Sequence, residues 1–347
     1  MQAGIDVLIW SDIVRDSMAT TIPATYLQLL RTAAIYIGSG ALGRLMRLRK
    51  GPVIAALYPV FFLLSPLGLA LLAGWLLFRL AREGAHLAGL EGQGLGILAL
   101  FFGGVAGAAL VWAVLRGCRA RDGRFFAYYL MHDFAFSAHL RGAYPSALET
   151  RMAEFADLIA GALQEDTDEV LIVGHSSGAH LAVSVLADML RDGRVPRDGP
   201  ALAFLSLGQV VPMVSFLPAA HRLRADLQYL SESDALCWVD VTAPGDGCAF
   251  ALCDPVAVSG VARPGKRWPL VLSAAFTQTL SPARWKALRW SFFRLHFQYL
   301  CSFARPDHYD YFMITAGPQL VADRYHGRAP SRSRIDRAVS GHVTVSA

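Results

Sequence analysis

The sequence predicts an α/β fold, a mainly parallel sheet flanked by helices, joined to a two-helix transmembrane hairpin. Three observations lead there. Two long apolar runs without charge precede residue 116; four short apolar strand candidates follow residue 165; and the first of those strands runs directly into a glycine-flanked serine and then a helix.

Composition supports the membrane part first. With 54% hydrophobic and 17% charged residues and a mean hydropathy of +0.39, the 347-residue chain is more apolar than a soluble globular protein usually is, so some of it is expected in lipid. One catalytic domain plus an accessory segment accounts for the length, and no second soluble domain is expected. The net charge of +5 comes from arginines that cluster beside apolar runs, not from a stripe interleaved with aromatics. That pattern points to an anionic bilayer surface and away from nucleic acid. Cys118, Cys237, Cys248, Cys253 and Cys301 form no CxxC pair and have no zinc-finger histidine spacing. They read as reduced thiols in a cytoplasmic setting, with no metal site expected. Met1 to Trp10 lacks the basic and apolar regions of a secretory signal, so export by a cleaved signal is not expected.

Residues 1–50 are predicted to hold a strand and an amphipathic helix. Ile5 to Trp10 (IDVLIW) is the strand candidate; Tyr26 to Lys50 places Leu27, Leu30, Ala34 and Ile37 at helical spacing ahead of a basic end. That helix reads equally as interfacial or as an ordinary packing helix. Residues 51–116 form the hairpin, with spans at about 53–78 and 93–115. No charge lies between Lys50 and Arg79, and Pro59 and Pro66 suggest a kink without ruling out a span. In the second run the glycines around Phe101–Gly107 offer small surfaces for close helix contact. Arg44, Arg47, Arg49 and Lys50 precede the first span, and Arg116, Arg119, Arg121 and Arg124 follow the second. The connecting loop, with Arg82, Glu83, His86 and Glu91, is less basic. Both termini are therefore expected on the cytoplasmic side.

Residues 125–320 carry the candidate catalytic domain. Leu148, Met152, Phe155, Ile159 and Leu163 mark an amphipathic helix, which leads through an acidic turn into Val170-Leu171-Ile172-Val173. Gly174-His175-Ser176-Ser177-Gly178 follows at once, and then helical Ala179 to Leu190. A serine at such a strand-to-helix turn is held at the end of the sheet, where a substrate can approach, and the amide of Ser177 can donate to a developing oxyanion. Further strands are expected at Ala201–Leu207, Cys237–Thr242 and Leu270–Ala274.

This stretch, over roughly residues 125 to 320, resembles the nucleophile region of α/β-hydrolase lipases and esterases, in which GHSxG is a common form. The resemblance implies Ser176 as nucleophile, then an acid, then a histidine in chain order. For the acid, Asp246 in Ala243-Pro244-Gly245-Asp246-Gly247 directly follows a strand, and Asp254 in Cys253-Asp254-Pro255-Val256 competes with it. Asp240 lies inside the strand and is the weakest of the three. For the base, His296 sits among aromatics and His308 in a polar turn; His296 is favoured, and His326 near the tail is not. His175 and His180 are too close to the serine in sequence to arrive from a separate loop. Aspartates beside Gly or Pro are also ordinary turn formers, and a histidine on an aromatic helix also occurs as a core or interfacial residue.

The expected chemistry is acyl transfer on a lipid or small ester through a covalent intermediate on Ser176, with His296 as base and Asp246 orienting it, and without a cofactor. One family feature is missing: no His-Gly type motif precedes the elbow to supply the second oxyanion donor. A catalytically silent fold used as a membrane scaffold or partner-binding module is the alternative. A transporter-like role has little support, because the spans hold no charge. Residues 327–347, polar and basic, are expected to be disordered.

Overall fold

Short apolar runs with few polar interruptions form the sheet. In the computed structural model, which describes residues 3–18, 21–90, 94–122 and 127–346 (side chains of residues 129 and 133 excepted), the strands are β1 (Glu169–His175), β2 (Ala201–Leu207), β3 (Cys237–Thr242) and β4 (Leu270–Ser273). Among the described residues they make one parallel sheet in the order β1-β2-β3-β4. Each crossover returns the chain beside the strand it has just left, so the carboxyl ends lie side by side: His175 pairs with Leu207, Leu207 with Val241, and Val241 with Leu272. All of β3 and most of β2 are buried, which is why they read as continuous apolar runs instead of alternating ones.

The helices follow in chain order: α1 (Ser11–Asp16), α2 (Ile22–Gly38), α3 (Ala41–Leu48), α4 (Lys50–Leu87), α5 (Gly94–Ala120), α6 (Ala127–Ala138) and α7 (Ser146–Ala162). Beyond β1 come α8 (Gly178–Arg191), α9 (Val211–Ser215) and α10 (His221–Glu232). After β3 and β4 there are short helices: α11 (Pro255–Val258), α12 (Phe276–Thr279), α13 (Pro282–Leu288), α14 (Phe292–His296), α15 (Tyr311–Thr315) and α16 (Val321–Arg324). The chain divides into two compact units. One comprises Met1–Ile13, Ala33–Ala55 and Phe136–Ala347, the other Val14–Thr32 and Ala56–Ala135.

In the first unit α8 packs on β1, and α7 and α10 pack on α8. The core includes Leu205, Val239, Val241 and Leu272 from the sheet and Leu295 and Tyr299 from the segment after α13. The amphipathic helix predicted from Ala147 to Leu163 is α7, in which Leu148, Met152, Phe155 and Ile159 are buried, with the buried Leu163 at its C-cap.

In the second unit α4 and α5 are two helices long and apolar enough to cross a membrane. Their most apolar windows are only 17% and 11% buried, whereas a core helix of a soluble protein would be mostly covered. At 1.5 Å per residue the 38 residues of α4 extend about 57 Å, well beyond a hydrocarbon core of about 30 Å, and its charge-free part alone is long enough to span such a core. Small residues set the approach of the pair. A Cβ at Gly107 would lie 2.7 Å from Gly74 O, and one at Gly103 would lie 2.5 Å from Ala81 Cβ. The predicted spans fall inside α4 and α5, except for residue 93, which with Glu91 and Arg124 lies outside the described residues.

Three expectations are corrected. Ile5 to Trp10 is not a strand: Ile5, Val7 and Ile9 are exposed, with no partner strand among the described residues, and the segment is tied down by Arg151, which donates to Ile9 O and pairs with Asp12. The predicted helix from Tyr26 to Lys50 is two helices, α2 and α3, broken at Gly40, whose φ of 72° is left-handed; Ala41, Leu45 and Leu48 make α3 a packing helix. The tail is ordered. Ser331 N donates to Val271 O, Ile335 N to Leu252 O and Val339 N to Val258 O, while the buried Arg224 guanidinium donates to Thr344 O. These backbone bonds fix a polar segment whose composition alone suggests disorder.

Candidate active site

Ser176 stands where the carboxyl end of β1 turns into α8. Its φ of 55° is in the left-handed region, a strained conformation for a residue with a Cβ, and its amide donates to Leu207 O at 2.9 Å, so the turn is held against the end of β2. The two glycines of the motif play different parts. A Cβ at Gly174 would lie 2.9 Å from both Ala179 Cα and Gly178 O, so α8 can start only over a bare glycine; at Gly178 nothing lies within 4 Å. Ser177 occupies the N-cap position of α8 without a side-chain capping bond, and the amino-terminal amides and dipole of this 14-residue helix favour negative charge in front of it.

Asp246 and His296 come together although 50 residues separate them. Both are buried, and His296 Nδ1 lies 2.7 Å from Asp246 Oδ2. The same oxygen accepts from the Tyr299 hydroxyl at 3.0 Å, while Oδ1 accepts from the Cys248 amide at 2.8 Å. A carboxylate accepting three donors is fixed in position, and it holds the histidine proton on Nδ1, leaving Nε2 as the acceptor. Tyr299 is itself anchored, since Ala243 N donates to its hydroxyl at 2.9 Å; burial and the Asp246 charge hold that phenol well above its ordinary range, as a neutral donor.

The imidazole of His296 is lodged over the end of β2. Gly208, the residue after that strand, has φ 53°, and a Cβ there would lie 3.0 Å from His296 Cε1 and 2.7 Å from Tyr299 Cε2. The other contact is with His175, the neighbour of Ser176. Its Nε2–H donates to the backbone carbonyl of His296 at 2.9 Å, and the two rings are 4.6 Å apart. Burial, reinforced by His296, pushes His175 down to about 4, so near neutral pH it is an uncharged donor. The Asp246–His296 pair is thus built beside the turn that carries Ser176. Among the described residues no hydrogen bond joins Ser176 Oγ to His296.

The competing candidates lie elsewhere. Asp254 caps α11, accepting from Val256 N and Ala257 N, and pairs with Lys266 at 2.7 Å. Asp240 is buried in β3, where Ser206 Oγ donates to it at 2.6 Å. His308 is half-exposed beside Asp307, and His326 lines a cavity of about 670 Å³ at the amino ends of the strands, the opposite end of the sheet from Ser176. His180 is buried near Tyr144, and burial lowers it to about 4.

Tyr299, His175, Cys248 and Gly208 are the site residues that sequence reasoning did not assign. The one available signal was the position of Tyr299 three residues after His296. Asp246, Cys248 and His296 each offer a ligand atom within 4.8 Å of the others, a nitrogen, sulfur and oxygen set that could hold a zinc-like ion. Burial raises the Cys248 thiol, which argues against an activated thiolate nucleophile there.

No family model matches the chain, and no match was found among curated proteins or solved structures.

Proposed function

We propose that the chain is a membrane-anchored serine hydrolase of the α/β-hydrolase type, cleaving a carboxylic ester through Ser176, His296 and Asp246. The observation that carries this reading is the buried Asp246–His296 pair lodged at the end of β2, beside the strained turn of Ser176. The unbroken parallel order of the four strands, with the serine first and the acid and base after later strands, fits the same reading.

In this mechanism His296 Nε2 takes the Ser176 proton as Oγ attacks the ester carbonyl, Asp246 stabilises the imidazolium, and the Ser177 amide donates to the oxyanion. His296 then protonates the departing alkoxide. Water, activated by the same histidine, releases the acyl group and restores Ser176. A small closing movement brings Nε2 onto Oγ when substrate binds, as catalytic hydrogen bonds often tighten in the complex.

The anchor is the pair α4 and α5, placed in the bilayer with both termini and the catalytic domain on the cytoplasmic face, in keeping with the arginines that flank the runs. Pre-steady-state hydrolysis of p-nitrophenyl butyrate tests the chemistry. The expected result is a burst of nitrophenol followed by slower turnover, and a fall in kcat of at least about 10³-fold in Ser176→Ala. Turnover undiminished in Ser176→Ala would remove the serine from the mechanism. No turnover by a folded wild-type chain would favour the silent scaffold.

A further inference from the structure

We propose that the strip from α13 to Phe297 is a lip that enters the surface of an anionic lipid leaflet, and that the ester cleaved at Ser176 belongs to a lipid of that leaflet; the second half of this rests on the hydrolase reading. The strip is aromatic, basic and free of acid. From Phe276 to Pro306 the chain contains Arg284, Lys286, Arg289, Arg294 and Arg305 and no aspartate or glutamate.

Its large apolar side chains face outward. Trp290 is 75% exposed, Phe297 53% and Phe292 45%, and the Arg289 guanidinium lies over the Trp290 ring, 5.7 Å from its centroid. Exposed tryptophan and phenylalanine between arginines is the chemistry of the bilayer interface, where rings settle at headgroup depth and cations meet anionic lipid. Water offers these rings nothing, whereas the buried side of the same strip holds Leu288, Leu295 and His296 in the core.

The strip is also continuous with the candidate site and with the start of α4. Trp285 covers the acid loop: a Cβ at Gly245 would lie 2.8 Å from Trp285 Cη2. One at Gly247 would lie 3.1 Å from Phe292 Cδ1, so glycines on both sides of Asp246 let the rings of the strip approach its loop closely. On the same loop a Cβ at Gly51, in the first turn of α4, would lie 3.2 Å from Gly247 O, and Arg49 Nε donates to Ala251 O at 2.9 Å. The residues that follow Gly51 in the chain are those of the long apolar run. The lip, the acid loop and the entry to that run therefore form one patch of the first unit, and charge complementarity selects an anionic lipid surface as its occupant.

The test uses the full chain in vesicles of phosphatidylcholine, with or without an equal share of phosphatidylglycerol. The fluorescence that Trp290→Phe removes is measured in plain lipid and in lipid brominated on the acyl chains. Quenching of that difference by bromine, stronger with phosphatidylglycerol and weakened in Arg289→Gln/Arg294→Gln, is the expected result. Equal signal in plain and brominated lipid would overturn the lip, whatever protein or other surface covers it. A second readout compares turnover of a vesicle-borne phospholipid ester with that of p-nitrophenyl butyrate. In Trp290→Asp the ratio of lipid to soluble turnover should fall about tenfold or more; an unchanged ratio would overturn the lipid substrate. A wild type inactive on both esters would refute the hydrolase reading, while the quenching still decides the lip.

Discussion

At Asp246 one carboxylate collects an imidazole, a phenol and a backbone amide, and its neighbour Asp240 shows the opposite use of the same side chain. Asp240 is fully buried in β3, with a single hydroxyl donor on Oδ1 and no partner on Oδ2 among the described residues. Burial, with the Asp254 charge adding to it, lifts its carboxyl to about 8. The sign follows directly. The native state keeps a proton that the unfolded chain releases near 4, so this residue's contribution to stability is complete below about pH 4 and is lost as pH rises through about 8. Asp240→Asn removes that ionisation. In thermal unfolding of the detergent-solubilised protein, the Tm of the variant should gain on wild type between about pH 5 and pH 8; a constant difference would show that Asp240 does not titrate there. Ser176, Asp246 and His296 were all legible as candidates, because chain order and turn composition mark them. The support from Tyr299 and His175 was not, since it depends on rings and carbonyls that only tertiary packing brings within reach.

The element that does most for the site is the turn between β1 and α8. Its two glycines look equivalent in Gly-x-Ser-x-Gly, yet only Gly174 faces the backbone of α8, and Gly178 opens onto free space. Gly178→Ala should therefore keep esterase activity and change stability little, an alanine at a helix start being well tolerated. Gly174→Ala should unseat the turn and cost activity at least about 10²-fold, since a displacement of about 1 Å at a catalytic group is worth that much. Parallel measurement of kcat and Tm for the two variants checks the asymmetry, and equal effects would contradict it. The strands were readable because fully buried parallel strands are unbroken apolar runs, and β2 and β3 occupy the residues expected. Ile5 to Trp10 carries a similar pattern but finds no neighbouring strand among the described residues, and pairing cannot be read from one segment alone.

Across the whole molecule, composition divides the chain as the structure does, into a unit built on a buried sheet and a unit whose long helices leave their apolar surface uncovered. That division was legible because a charge-free run of bilayer length has few other uses. The final residues were misread for the complementary reason: their polar side chains gave no sign that their backbone would pair with Val271, Leu252 and Val258. The proposed reading, a hydrolase held at a membrane by α4 and α5, stands on Ser176. A fluorophosphonate probe applied to the full chain in vesicles tests it most directly, with the labelled peptide found by mass spectrometry. The expected adduct is on Ser176, absent in Ser176→Ala and strongly reduced in His296→Ala; a folded wild-type chain that takes no label, or label that persists in Ser176→Ala, would contradict it.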